Sequence, residues 1–143
     1  ETRLVPCASP QYLSAHPAPK TPEELARHNC FTYEYVTPRN VWRFRDPSGA
    51  ERAVRVAGTL HSNNGEVLAE VAARGAGIVF EPAFIVGPDV RAGRLVPLLQ
   101  EFTPPPVPIY AVYPSRKHLS AKVRRFVEFL AGRFAQAQDW SAA

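Results

Sequence analysis

Between Val56 and Pro82 the apolar positions change period twice, and that change organises the chain. Val56 and Leu60 stand in an extended run, Val67, Leu68, Val71 and Ala72 recur at helical spacing, and Gly77-Ile78-Val79-Phe80 is apolar on both faces. The pattern predicts strand, helix, glycine turn and buried strand. Asn63 stands as the helix N-cap with Glu66 three residues on, a variant of the capping box, and Gly75 occupies the place of a left-handed C-terminal residue. Such a βαβ unit places its second strand in a parallel sheet. Ligands of these sheets collect beyond the carboxyl ends of strands and beside helix N-termini. Leu60-His61-Ser62-Asn63-Asn64 and Phe80-Glu81-Pro82 are therefore the expected mouth of a pocket.

Ahead of this unit, Arg3 to Ala8 is an apolar extended run, and Ser9-Pro10 opens a short helix through Leu13 that stops at His16-Pro17. Thr21-Pro22-Glu23-Glu24 starts a second helix, with Thr21 as cap and Glu24 closing the box. Three segments then read as an antiparallel set: Cys30 to Tyr35, Val41 to Arg45 and Arg52 to Val56, with Asp46-Pro47-Ser48-Gly49 turning the second into the third. After the unit, Pro82 to Val86 predicts a short helix, Asp89 to Gly93 a separate turn, and Leu95 to Leu99 an extended segment. Pro104-Pro105-Pro106 is a stiff connector. Val107 to Tyr113 predicts a strand ended by Pro114. Ser120 to Phe134 predicts the longest helix, with Leu119, Val123, Phe126, Val127, Leu130 and Phe134 on one stripe.

The 143 residues suffice for one domain, and 45% apolar residues allow a real core. The formal charge of +4 comes from scattered basic residues until Arg116-Lys117 and Lys122-Arg124-Arg125, which read as the solvated face of the long helix rather than a phosphate site. Two cysteines, Cys7 and Cys30, make neither a disulfide framework nor a zinc set, and read as buried, reduced residues of a cytoplasmic protein. No apolar run approaches the roughly 20 residues that span a bilayer. No catalytic constellation, metal set or cofactor motif is found, so no enzyme activity and no cofactor are expected. The chain has no Met and opens directly on a strand, which suggests a piece of a longer protein.

The order of motifs resembles the C-terminal part of the effector-binding domain of LysR-type transcriptional regulators. The residues that carry the resemblance are Leu4-Val5-Pro6-Cys7-Ala8-Ser9-Pro10, Thr21-Pro22-Glu23-Glu24-Leu25-Ala26-Arg27-His28, Trp42-Arg43-Phe44 and Val56-Ala57-Gly58-Thr59-Leu60. They continue through Asn63-Asn64-Gly65-Glu66-Val67-Leu68, Ala76-Gly77-Ile78, Ala92-Gly93-Arg94-Leu95-Val96 and Ala111-Val112-Tyr113-Pro114. The resemblance implies an α/β fold like that of type 2 periplasmic binding proteins, here the second lobe plus the return segment of the first. Residues 1–8 would be a crossover strand, 9–106 the effector-binding lobe, 107–135 the return strand and helix, and 136–143 a tail. It further implies a small-molecule effector, a homo-oligomer, no membrane, and DNA contact only through an N-terminal domain absent from these residues. A solute-binding protein of a transporter would share the fold.

Among the candidate effector contacts, Asn63 and Asn64 would offer a helix N-terminus to an anion, with plain capping as the simpler role. His61 points from a strand end toward the same mouth. Phe80, Glu81 and Pro82 end the neighbouring strand, where the resemblance implies cleft lining, and Leu60 ends the other. Glu81 is unusual, because a carboxylate at the end of an apolar strand either faces solvent or selects a cationic or hydroxyl-bearing ligand. Tyr33, with Tyr35, presents a hydroxyl to the cleft or forms an ordinary sheet face. Trp42 and Phe44 are assigned to packing.

Overall fold

The computed structural model describes residues 1–113 and 120–136. The chain enters as β1 (Leu4–Ala8), and Ser9 turns it into α1 (Pro10–Ala15). The Ser9 hydroxyl accepts from the Tyr12 N–H at 3.1 Å, and Pro10 takes the first helical position. The next helix differs from expectation. Pro22–Arg27 is a 3-10 helix without a side-chain cap from Thr21, and Glu24 Oε2 accepts from the Lys20 N–H at 2.8 Å instead of closing a box on Thr21. Then come β2 (Thr32–Tyr33), β3 (Val41–Arg45), β4 (Glu51–Arg55), β5 (His61–Ser62) and α2 (Gly65–Ala73). β6 (Ile78–Pro82), α3 (Ala83–Arg91), β7 (Val96–Pro97) and α4 (Ala121–Gln136) complete the order.

β1 is the middle strand of a three-stranded sheet, between β6 and β7, and runs antiparallel to both. Its register on β6 sets Val5 opposite Glu81, Cys7 opposite Val79 and Ala8 opposite Ile78. Because successive side chains alternate faces, this pair divides the core in two. Val5, Cys7 and Val79 join Leu68, Ala69, Ala72 and Val86 of α2 and α3 on one side. Ala8 and Ile78 join Tyr12, Leu25, Trp42, Phe44 and Val54 on the other. Both cysteines are free and buried, and burial pushes each thiol up to about 12.

The βαβ unit is present, but its strands are not adjacent. β2 lies between them: it pairs in parallel with β5, and Phe31 N–H and Ile78 N–H bond at 2.8 Å to the carbonyls of Ile78 and Asn29. The sheet around β6 is therefore mixed, since β1 flanks it antiparallel. The expected antiparallel trio is likewise reduced to the β3–β4 hairpin, because β2 spends its hydrogen bonds on the parallel neighbours. The hairpin turn forms as expected. Asp46 Oδ1 accepts from the N–H groups of Ser48 and Ala50, Gly49 takes φ +85°, and the Ser48 hydroxyl and the Arg52 guanidinium hold the Asp46 carboxyl below its ordinary range.

Further along, the expected short helix and separate turn are one helix, α3, with Pro88 inside it; burial of Ala83 and Val86 against α2 and β6 keeps the chain helical through the proline. Gly93 closes it at φ +71°. The expected strand from Val107 to Tyr113 is absent. Val107 alone bridges to Thr2, and residues 108–113 have no ladder partner. α4 forms where expected, with Val123, Phe126 and Phe134 of its apolar stripe exposed and Val127 and Leu130 half-buried; Phe126 is 60% accessible. Pro114, Arg116, Lys117 and Leu119 lie outside the described residues.

Leu68 is wholly buried while its neighbour Val67 is 46% exposed. Leu68→Ala is expected to cost about 2–5 kcal/mol in urea unfolding. Val67→Ala should change stability by less than about 0.5 kcal/mol. Equal losses would show that α2 packs by another face.

Candidate functional site

At the end of β6 the alternation of side chains separates Phe80 from Glu81. Phe80 lies on the hairpin side, its ring centroid 4.8 Å from that of Trp42 and 5.1 Å from that of Phe44. Glu81 lies on the side of α2 and α3, opposite Val5. A cleft of about 520 Å³ opens where these two faces part. Tyr33 of β2, Trp42 and Arg43 of β3, and Phe84 and Ile85 of α3 line it. Phe80, Glu81 and Pro82 meet it at the strand end, and Arg39 joins from the loop before β3. Most of the lining is apolar.

The Glu81 carboxylate is the exception. Glu81 is only 4% exposed, and no hydrogen bond or ion pair joins its side chain to a described residue. Burial pushes its carboxyl up to about 7. Gly65, the first residue of α2, makes room for it: a Cβ there would stand 2.5 Å from Glu81 Oε2 and 2.9 Å from Ile85 Cδ1. The cationic side chains of the cleft are otherwise engaged or peripheral. Arg39 Nη1 donates to both Glu34 carboxylate oxygens at 3.1 and 3.0 Å, and Arg43 stands exposed on β3.

Of the eight candidate effector contacts, the structure brings Tyr33, Phe80, Glu81 and Pro82 into one cleft and leaves Leu60, His61, Asn63 and Asn64 outside its lining. Leu60 packs half-buried against the α2 cluster. His61 is exposed, with its Nδ1 hydrogen-bonded to the Thr32 hydroxyl. Asn63 is not the helix cap. Its amide donates to the Tyr35 hydroxyl at 3.4 Å, and Asn64 caps α2 through Oδ1, which accepts from the N–H groups of Glu66 at 2.9 Å and Val67 at 3.3 Å. The cap sits one residue later than expected because Ser62 Oγ accepts from the Asn64 N–H, extending the loop. Trp42, expected only to pack, does pack at 6% exposed, and it lines the cleft as well. Gly65, Arg43 and Phe84 are cleft residues that sequence reasoning missed. They carried one available signal, their closeness in sequence to the helix cap, Trp42 and Pro82.

Among the described residues no group of three His, Cys, Asp or Glu is placed to hold a metal, and no helix is long and apolar enough to cross a membrane. The mixed α/β lobe, with an apolar cleft at its strand ends, has a periplasmic-binding-protein-like fold of the kind found in regulatory domains. Among such domains the chain belongs to the LysR substrate-binding domain family, matched over residues 1–135. It is 38% identical over 131 residues to the HTH-type transcriptional regulator DmlR of Escherichia coli, covering 91% of this chain and 42% of that protein. It is 35% identical over 132 residues to the HTH-type transcriptional activator TtdR of the same species, covering 92% and 42%. The full-length structure of AphB, a Vibrio cholerae virulence activator of the same family, superposes with a TM-score of 0.78 at 29% identity, over 92% of this chain and 45% of that one. The chain thus spans less than half the length of these regulators.

The raised carboxyl gives stability a pH dependence of defined sign. Between the ordinary carboxyl value of 4.5 and about 7, the folded state holds a proton that the unfolded state has lost, so stability falls as pH rises through that window. At about 1.4 kcal/mol for each pH unit that the window spans, the loss attributable to Glu81 is on the order of 3 kcal/mol. Urea unfolding of wild type and Glu81→Gln from pH 4 to pH 8 checks this: the difference between them should favour the Gln variant increasingly above pH 5. Parallel profiles would place the carboxylate in water.

Proposed function

We propose that this chain is the ligand-sensing part of a LysR-type transcriptional regulator. It takes a small effector in the cleft at the ends of β1 and β6, and acts on transcription through DNA-binding domains attached to a longer chain. The observation that carries this reading is the cleft itself, about 520 Å³ of mostly apolar space with one buried carboxylate, in a family whose members DmlR and TtdR are transcriptional regulators. A volume of this order suits a small organic ligand. Residues 1–8 then serve as the crossover into this lobe, 9–106 as the lobe, and 107–135 as the return to a first lobe, with 136–143 as a tail. Effector binding shifts the population of open and closed forms, and a cytoplasmic homo-oligomer passes that shift to the operator. The names of the relatives favour this reading over a transporter's solute-binding protein.

The test is a thermal-shift screen of the 143-residue chain against small carboxylates, amines, amino acids and alcohols. A binder present at about 100 times its dissociation constant stabilises by roughly 2.7 kcal/mol, which gives a readily measured rise in melting temperature. That rise should be lost in Phe84→Ala, within the cleft, and kept in His61→Ala and Asn63→Ala, outside it. A rise that persists in Phe84→Ala but vanishes in His61→Ala would move the site to the tip of β5.

A further inference from the structure

The chemistry of the cleft points to the class of molecule it takes. Glu81 is nine-tenths buried and lines the cavity, and it makes no hydrogen bond or ion pair with a described residue. Its oxygens reach the cleft rather than being sealed in the core, and a largely desolvated carboxylate with no donor among the described residues is costly, so the arrangement suits a partner from the cleft. Among the described residues none supplies one. Arg39 is engaged by Glu34, Arg43 stands exposed, and burial is the sole cause of the rise in the Glu81 carboxyl. Space is nevertheless kept for the side chain. Gly65 leaves the carboxylate unobstructed at the start of α2, where the first turn of the helix favours negative charge. Three aromatic side chains, Trp42, Phe80 and Phe84, line the same cleft, and aromatic rings attract cations.

We propose that the cleft binds an organic amine, a protonated ammonium carried on an apolar body of about one ring, with Glu81 as its counter-ion and Trp42, Phe80 and Phe84 as its walls. The inference rests on the cleft being the ligand site. An ammonium supplies both the charge and the donors that the carboxylate lacks, and its hydrocarbon body fills the apolar volume. An alcohol of the same skeleton supplies one neutral hydrogen bond. A carboxylate would set two anions together in an apolar space, which disfavours the charged form of both.

The experiment is calorimetric titration of the 143-residue chain at pH 8 with three compounds of one skeleton: phenethylamine, 2-phenylethanol and phenylacetate. The amine should bind at least about tenfold tighter than the alcohol, as a charge-assisted hydrogen bond outweighs a neutral one, and phenylacetate should bind weakest. Glu81→Gln should erase the preference for the amine and leave the alcohol nearly unchanged. Glu81→Leu, of similar volume, serves the same purpose if the Gln variant does not fold. Phenylacetate binding as tightly as the amine, or a preference that survives in both variants, overturns the amine assignment. If such binding still depends on Phe84, the cleft stands as the ligand site and only its charge preference falls. Failure of all three compounds to bind overturns the amine assignment, and the Phe84-dependent thermal shift with other compounds then decides separately whether the cleft is a site at all.

Discussion

The backbone from Asn29 to Phe31 passes between two glycines, and the rest of the lobe is arranged around that passage. A Cβ on Gly58 would stand 2.0 Å from the Cys30 carbonyl oxygen, and one on Gly77 would stand 2.3 Å from that of Asn29. Only hydrogen fits at either place, so neighbouring chain can close to bonding distance on both sides of the segment. The Asn29 side chain fastens the arrangement. Its Nδ2 donates to the Ala76 carbonyl at 2.7 Å, and its Oδ1 accepts from the Thr59 N–H at 2.9 Å. One amide thus ties together the chain entering the α2 crossover and the chain leaving it. Displacing this passage would move Tyr33 at one end and Glu81 at another, and with them both sides of the cleft.

The cleft exists because two well-packed faces diverge. Along β6, Ile78 and Val79 each find a full complement of apolar neighbours, but at Phe80 and Glu81 the hairpin and α3 no longer meet. Phe80 is left half-covered against Trp42 and Phe44, and Glu81 lies mostly buried at the cleft without a partner among the described residues. Both are stability given up locally, and the two fully buried layers behind them offset it. The interior is tightest directly beneath the place where the molecule is least complete.

Local periodicity revealed the elements, and partner choice was where it failed. The helix from Gly65, the buried strand at Ile78, the Asp46 turn and the helix from Ala121 are all visible in the spacing of apolar residues and in turn chemistry. Nothing in the run from Cys30 to Tyr35 says that it inserts between β5 and β6 instead of joining the hairpin, because alternation reports a face and not a neighbour. The same gap explains Val107 to Tyr113, whose alternation is that of a strand although only Val107 finds a bridge. For the site, the rule that ligands gather at strand ends identified Phe80, Glu81 and Pro82 as a group. Leu60, His61, Asn63 and Asn64 were drawn in by the same rule applied to β5, which is only two residues long and does not open on the cleft. The cap shows how a tandem Asn63-Asn64 defeats sequence reading: either side chain can cap, and the Ser62 hydroxyl, a tertiary detail, decides between them.

Thr2 and Val107 exchange both backbone hydrogen bonds, at 2.9 and 2.8 Å. All the chain between them therefore enters and leaves through a single antiparallel contact. A unit closed in this way is topologically a guest, able to be spliced into a host polypeptide at one point without rerouting any strand of either.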